Sequence, residues 1–262
     1  MPFADVMEMA LYDPDHGYYG KGPRKLGRSG DFFTSVSVGP LFGKLIADYA
    51  MSVFDAGGVQ IIEQGAHDAQ LAEDILTSLP ADARYCIVEP SSAFQSAQQE
   101  RLRAAFGDRV RWVGALDELH EWPTSAVFVC NELPDAFPVH VVRWTGTEWV
   151  ERCVKAGDDD TFQWIEAPLS SEFLAAEVAR LPTDLPAGFT TEIHLAMLDW
   201  VRSLSRTSFE GSILIADYGL SADEVLDPSR HQGTLRRYRN HQTDDHVLED
   251  LGDCDLTTHV PF

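Results

Sequence analysis

The sequence predicts an α/β fold: a Rossmann-like parallel sheet with helices on both faces. Short apolar strands alternate with amphipathic helices from residue 60 onward, which is the rhythm of a parallel sheet. The first strand ends in a carboxylate and a glycine, and the second strand ends in another carboxylate. We therefore expect a ligand site where these strands end.

The predicted elements follow in order along the chain. Apolar residues at helical spacing predict an opening helix from Phe3 to Leu11, and a second helix starts at Pro40, where a proline is tolerated in the first turn. The core elements are strands at 59–64, 85–89, 110–115 and 126–132, with helices near 69–79 and 92–106.

The alternation of strands and helices ends after the fourth strand. Residues 139–154 alternate as two strands, and residues 161–166 supply a third, which predicts an antiparallel insertion. Apolar residues from Ile193 to Leu204 then recur at helical spacing behind a cap at Thr190 or Thr191, and residues 212–217 form one more buried strand.

We expect one compact domain made of consecutive segments. They are an N-terminal helical and lid segment (1–58), the first part of the core (59–135), the antiparallel insertion (136–189), the second part of the core (190–220) and a C-terminal segment on the substrate side (221–262).

Composition excludes several classes of function. A formal net charge of −22 argues against a nucleic-acid partner, because such binding draws its affinity from clustered Lys and Arg. The charge suits a cationic ligand or a basic protein segment, although excess acids also simply solvate a surface. No apolar run is long enough to cross a membrane, so no membrane partner is expected.

The four cysteines indicate the compartment. They lie far apart with no C-x-x-C pair, which predicts reduced thiols and no metal site. The N-terminus has no basic region followed by a hydrophobic run. We expect a cytoplasmic protein, or one of the mitochondrial matrix if the source is eukaryotic, although no transit peptide is present.

A nucleoside site is predicted after the first two core strands. Glu63 and Gly65 end the first strand, and Glu89 ends the second, where an acid can accept hydrogen bonds from ribose hydroxyls. His67 and Ala69 stand where a dinucleotide fingerprint has its second and third glycines. An adenosine cofactor without a pyrophosphate therefore fits better than NAD or FAD. An ordinary strand-to-helix turn with a structural glycine remains the alternative.

The turn after the fourth core strand, Asn131-Glu132-Leu133-Pro134-Asp135-Ala136-Phe137-Pro138, concentrates polar groups. Its two prolines bias the residues before them away from helix, so the polar side chains are expected on a stiff turn. Rigid placement is what catalysis by positioning requires. In the alternative interpretation, Asn131 and Asp135 only cap the turn.

Several ordered motifs resemble one known family. The motifs are ALYDPDHGYYG at 10–20, GDFFTSVSVGPLFG at 30–43, IVEPS at 87–91, NELPDAFPVH at 131–140, IADYG at 215–219, GTLRRYRNH at 233–241 and DLTTHV at 255–260. They resemble the MidA/DUF185 class of S-adenosylmethionine-dependent methyltransferases, whose mitochondrial member is a complex I assembly factor with protein arginine methyltransferase activity.

The resemblance implies roles for residues of this chain. The cofactor would be S-adenosylmethionine, and the partner would be a protein with an exposed arginine. Glu63, Gly65 and Glu89 match the cofactor motifs. Asp31 and Thr34, within the loop Gly30-Asp31-Phe32-Phe33-Thr34-Ser35, match an N-terminal site loop that would also bind the cofactor. Asn131, Glu132 and Asp135 match the catalytic turn.

Two departures from the family pattern are visible. His67 and Ala69 replace glycines of the cofactor loop, and the sheet of the family normally continues well beyond DLTTHV, so its last strands are expected to be missing here. These departures keep open a non-catalytic assembly protein on a methyltransferase fold. A nicotinamide-dependent oxidoreductase, resting on Glu63, Gly65 and Glu89 alone, is the third reading.

The predicted chemistry is an in-line methyl transfer that needs no metal and gains most from alignment and exclusion of water. A protonated guanidinium acceptor requires carboxylates that hold it and help a proton leave. Glu132 is the first candidate for this role and Asp135 the second.

Overall fold

A computed structural model describes residues 1–22, 36, 39–54, 58–121, 125–159, 161–207, 209–239 and 241–262, without the side chains of residues 120 and 121. These residues divide into two compact units. We name residues Gly22–Leu133 with Val201–Asp217 the parallel-sheet unit, and residues Met1–Lys21, Pro134–Trp200 and Tyr218–Phe262 the antiparallel unit. The lid residues 23–35, Asp31 and Thr34 among them, lie outside the described part of the chain.

The helices and strands are numbered along the chain. In order, they are α1 (Phe3–Tyr12), α2 (Leu41–Val53), β1 (Gln60–Gln64), α3 (Gln70–Ser78), β2 (Arg84–Val88), α4 (Ser92–Phe106), β3 (Val110–Val113), β4 (Ser125–Asn131), β5 (His140–Trp144), β6 (Trp149–Ala156), β7 (Phe162–Ala167), α5 (Glu172–Val178), β8 (Thr190–Ile193), α6 (Leu195–Arg206), β9 (Glu210–Ala216), β10 (Gly219–Leu220), α7 (Ala222–Val225), β11 (Arg236–Arg239), β12 (Gln242–Asp244), β13 (Asp255–Thr257) and β14 (Val260–Pro261).

The parallel-sheet unit contains a five-stranded sheet in the order β3-β2-β1-β4-β9, and every neighbouring pair is parallel. The chain runs outward from β1 to β3 on one side and from β4 to β9 on the other. The strand order therefore reverses between β1 and β4, which is where open α/β sheets bind ligands. The predicted parallel-sheet fold is confirmed.

Apolar burial explains why these elements form. β1 and β2 are short runs that bury their central residues, as strands covered on both faces do. On α3, Leu71 and Ile75 lie four residues apart on one face and join the core. Gly43 lets α2 approach α3 closely, since a Cβ at this position would lie 2.5 Å from the Cβ of Asp74.

The antiparallel unit has a four-stranded sheet in the order β7-β6-β5-β8, a three-stranded sheet in the order β12-β11-β13 and the parallel pair β10-β14. The antiparallel insertion predicted after the fourth core strand is therefore present. Its core includes Phe3, Met7 and Leu11 of α1, at helical spacing, together with Val139 and Leu256. The opening helix thus packs within this unit.

Two local predictions are wrong. Thr190 and Thr191 do not cap a helix but belong to β8, which pairs with β5, and α6 begins at Leu195. The strand predicted as buried, β9, is an edge strand with alternating exposure, and Ile213 is 47% exposed. Both errors arise because strand pairing, and not local periodicity, decides these stretches.

Within the described parts of the chain, none of the helices combines the length and the apolar character needed to cross a membrane. Over the same residues, no group of three or more His, Cys, Asp or Glu side chains is arranged to hold a metal ion. Cys86, Cys130, Cys153 and Cys254 are all buried free thiols.

Candidate functional site

The register of the parallel sheet aligns the ends of three strands. Gln64 of β1 lies opposite Val88 of β2 on one side and opposite Cys130 of β4 on the other. Gly65 and Glu89 follow directly after β1 and β2, and Asn131 is the last residue of β4, so the three lie at the same carboxyl end of the sheet. The order of strands and helices in the sequence predicts that these strand ends converge, and the register of the sheet places them side by side.

The loop after β1 has a glycine-like backbone at two positions that carry side chains. Gly65 has a φ of +79°, and a Cβ there would lie 3.2 Å from Cδ1 of Leu133. His67 and Ala69 also have positive φ angles, of +47° and +63°. This left-handed region favours glycine, so both residues carry strain that the surroundings must hold. At His67 and Ala69 the backbone therefore takes the conformation that a glycine would take.

The His67 ring packs against α4. It meets the ring of Phe94 edge to face, with 5.5 Å between the centroids, and its side chain is 19% exposed. Its Nδ1 is buried without a hydrogen bond and lies 3.8 Å from Asp68 Oδ1. The bulk at this position is accommodated by an aromatic contact with the neighbouring helix.

Glu89 is a buried carboxylate with acceptor capacity to spare. It is 8% exposed; its Oε1 accepts from the Ser91 N–H at 2.9 Å and its Oε2 from Gln98 Nε2 at 3.1 Å. Burial raises the pKa of Glu89, while these two bonds and the nearby His67 oppose the rise. A carboxylate offers about four acceptor positions, so the described residues leave roughly two of them unfilled.

Glu63 lies deeper, inside β1. Its carboxylate is buried and accepts a hydrogen bond from the Tyr85 hydroxyl at 2.8 Å. Burial raises the pKa of Glu63 to about 7, with a smaller contribution from Asp68, while the bond from Tyr85 opposes the shift. The side chain is bonded to a neighbouring strand and can hold a proton near neutral pH.

The turn after β4 is divided between the units. Glu132 has a φ of +49°, rare for a residue with a side chain, and its N–H donates to the Ala216 carbonyl at 2.8 Å. Strain of this kind is characteristic of functional positions. Asp135 belongs to the antiparallel unit, where it is buried in a 3₁₀ turn and its carbonyl accepts from the Thr258 N–H at 2.9 Å.

The predicted site residues are thus only partly brought together. Gly65, Glu89, Asn131 and Glu132 belong to one unit and lie at or next to the strand ends, and Glu63 supports them from within β1. The assigned roles of all these residues, and of Asp135, stay predictions.

Sequence reasoning missed the residues that hold the site. Gln98, fully buried on α4, contacts both Glu89 and the loop after β1, and Tyr85 bonds Glu63. The available signal was a glutamine on the apolar stripe of α4, between Phe94 and Leu102. A polar residue on a buried face needs partners, and here those partners are site residues.

A parallel sheet with a switch point, a glycine turn and an acid after the second strand defines a nucleoside-binding α/β protein. A family model described as a putative S-adenosyl-L-methionine-dependent methyltransferase matches residues 45–262. The chain belongs to this family, and the resemblance seen in the motifs is confirmed.

Named relatives and a solved structure agree with this family assignment. The chain is 27% identical to the mitochondrial protein arginine methyltransferase NDUFAF7 homolog of Caenorhabditis elegans, over 99% of this chain and 66% of the relative. It is 26% identical to Homo sapiens NDUFAF7, over 99% of this chain and 63% of that protein. The chain therefore spans just under two thirds of these relatives.

The solved structure comes from Burkholderia thailandensis. It is a COG1565 superfamily member, described as a likely methyl transferase and bound to S-adenosyl-homocysteine. It superposes with a TM-score of 0.86 at 32% identity, covering 100% of this chain and 69% of that one.

Proposed function

We propose that this chain binds S-adenosylmethionine at the strand ends and transfers its methyl group to an arginine of a protein substrate. The observation that carries the proposal is the alignment of Gly65, Glu89 and Asn131 by the sheet register, with acceptor positions on Glu89 that the described residues leave unfilled. Family membership, the ligand of the Burkholderia structure and the names of the NDUFAF7 relatives support it.

The residues fit the cofactor. Gly65 presents bare backbone, and Glu89 would accept hydrogen bonds from the two ribose hydroxyls. His67 and Ala69 adopt the backbone conformation that glycines would have, so their presence does not favour a non-catalytic protein. The bound cofactor supplies an electrophilic methyl group on a sulfonium.

Glu132 is the proposed acceptor-binding acid. Its carboxylate would hold a guanidinium by charge-assisted hydrogen bonds and take the proton that the acceptor nitrogen loses as the N–C bond forms and the S–C bond breaks. Its left-handed backbone, strained for a residue with a side chain, supports a functional placement. Asp135 is the second candidate acid.

Calorimetry with S-adenosylhomocysteine tests the cofactor site. We expect the wild-type protein to bind and Glu89→Gln to weaken affinity by about tenfold or more, because hydrogen bonds to a charged group are lost. Glu100→Gln is the control. It changes an exposed acid on the neighbouring helix α4 and should leave the affinity unchanged. A folded wild-type protein that releases no heat favours the assembly-protein alternative, and binding of NADH instead favours an oxidoreductase.

Methyl transfer tests the acceptor site. Glu132→Gln should lower transfer of a labelled methyl group to an arginine-rich peptide by about a hundredfold or more, the usual loss when an acid–base group is removed. A peptide with lysine in place of arginine is the substrate control, and affinity for S-adenosylhomocysteine is measured separately. Unchanged turnover removes Glu132 from the mechanism.

We infer a compartment that keeps thiols reduced, because all four cysteines are free and buried. The cytoplasm and the mitochondrial matrix both meet this condition, and the NDUFAF7 relatives are named as mitochondrial. Mass spectrometry after alkylation of the denatured, unreduced protein from its own source tests the inference, with four alkylated cysteines as the expected result.

A further inference from the structure

Both polar atoms of the Gln98 side chain form hydrogen bonds, which connect Glu89, the loop after β1 and Trp112 of β3. The side chain is 0% exposed. Its Nε2 donates to Glu89 Oε2 at 3.1 Å and to the His67 carbonyl at 2.9 Å, and its Oε1 accepts from Trp112 Nε1 at 2.9 Å. Because an indole can only donate, the Trp112 bond determines which amide atom is oxygen and turns the amide nitrogen toward the site.

The two bonds from Nε2 act on the groups that a nucleoside would need. One holds a carboxylate oxygen of Glu89, and the other holds the peptide of His67, whose φ of +47° is costly without glycine. The same helix supports the next peptide, since Arg101 Nη1 donates to the Asp68 carbonyl at 3.0 Å. Helix α4 thus holds two consecutive peptides of the loop.

We propose that Gln98 is a positioning residue of the cofactor site, which orients the ribose-binding acid and holds the left-handed loop that glycines would otherwise provide. The proposal rests on the proposed cofactor function. Gln98 does not itself touch the cofactor in this scheme, and its effect passes through Glu89 and His67.

Two replacements of Gln98 separate positioning from mere packing. Gln98→Leu removes both donated bonds, and Gln98→Glu keeps the shape and the acceptor for Trp112 but loses the amide donor. Each should weaken binding of S-adenosylhomocysteine by about tenfold at about pH 8, the loss expected for a hydrogen bond to a charged group.

Gln95→Leu is the matched control. Gln95 lies one turn earlier on α4, and its Nε2 donates at 2.7 Å to the backbone carbonyl of Glu89, not to the carboxylate. We expect it to change affinity by less than about threefold, because the side chain that would meet the ribose keeps both partners.

The pH profile supplies a readout that a packing defect would not produce. In Gln98→Glu two carboxylates face each other at about pH 8, and lowering the pH to about 6 lets them share a proton and restores a donor to Glu89. Affinity should therefore rise several-fold as the pH falls, whereas the wild-type affinity stays level or declines. Among the described residues, His67 exerts a charge effect on Glu89, and it is common to both proteins.

The outcomes decide both claims separately. If the wild-type protein binds and both folded Gln98 variants bind within about threefold of it, the positioning role is wrong and the cofactor site survives. If both variants fail to fold, Gln98 is a structural residue and the positioning role is again wrong. If the wild-type protein does not bind, the cofactor proposal fails and this inference with it.

Discussion

Glu89 in the parallel-sheet unit and Glu192 in the antiparallel unit are similarly buried acids that accept different numbers of hydrogen bonds. They are 8% and 6% exposed, and burial is the main cause of a raised pKa in both. Glu89 receives one bond on each oxygen. Glu192 receives bonds from the N–H and hydroxyl of Thr234 and from the N–H of Leu235, all between 2.9 and 3.1 Å.

Burial alone therefore does not separate the proposed ribose-binding acid from a structural one. Among the described residues, the two acids differ in the number of hydrogen-bond donors that reach them. Glu192 is filled by the turn from Gly233 to Leu235 and has little capacity left, so it joins two chain segments. Glu89 accepts two hydrogen bonds from the described residues, so its remaining acceptor positions suit the ligand-binding role proposed for it.

The largest expected effect sharpens this contrast through a matched pair of variants. Glu192→Gln should lower the free energy of unfolding by about 3 kcal/mol, because an amide presents a donor to the buried N–H groups of the turn. Glu89→Gln should cost only about 1 kcal/mol, because fewer donors depend on it. Urea unfolding of the two variants measures the difference.

Ligand affinity should show the reverse order. Glu192→Gln is expected to leave binding of S-adenosylhomocysteine unchanged, whereas Glu89→Gln loses it. Equal stability losses in the two variants would contradict the distinction between a filled and an unfilled acid.

Glu63, which accepts a hydrogen bond from the Tyr85 hydroxyl, tests the contrast through pH. Its folded pKa of about 7 lies above its ordinary 4.5, so the folded protein holds a proton that the unfolded chain releases in this interval. The stabilisation is therefore complete below pH 4.5 and is lost as the pH rises through 7, by up to about 3 kcal/mol.

Glu63→Gln supplies the control for this titration. The variant cannot ionise, so its stability relative to the wild-type protein should rise between about pH 5 and about pH 8, as measured by urea unfolding. A constant difference across this range would mean that Glu63 titrates normally.

The smallest expected effect concerns the turn that fills Glu192. Gly233 has a φ of +73°, and a Cβ there would lie 2.2 Å from Glu192 Oε1. Gly233→Ala should lower the free energy of unfolding by about 2 kcal/mol, because of backbone strain and displacement of the carboxylate. Gly188→Ala is the control: its φ is +93°, but a Cβ there would lie 3.4 Å from Arg143 Nη2, at the end of a flexible side chain.

The control variant should lose only about 1 kcal/mol, the cost of the left-handed backbone alone. Thermal unfolding compares the two. Equal losses would show that the glycine serves only the backbone conformation and that Glu192 does not need its close approach.

Much of the fold was predictable because its elements carry local signals. The strands β1 to β4 lie within two residues of their predicted bounds, since each is a short apolar run between turns. β8 was not predicted, because Thr190 and Thr191 also suit a helix cap and only pairing with β5 makes them a strand. The edge position of β9 likewise depends on which strands lie beside it.

The candidate site divides in the same way. Gly65, Glu89 and Glu132 could be found because each follows directly after a strand. Gln98 and Trp112 could not, because their hydrogen bonds depend on how α4 and β3 pack beside the loop.

The sequence alone determined the order of the core strands β1 to β4 and of the helices between them, the acids at the strand ends and the motifs of the methyltransferase family. Only the tertiary structure decided which acid is filled and which is available. The donors to Glu192 lie 42 and 43 residues along the chain, and Gln98 reaches Glu89 from nine residues away on a helix. Such partners come together only when separate segments pack against each other, and local periodicity does not predict that packing.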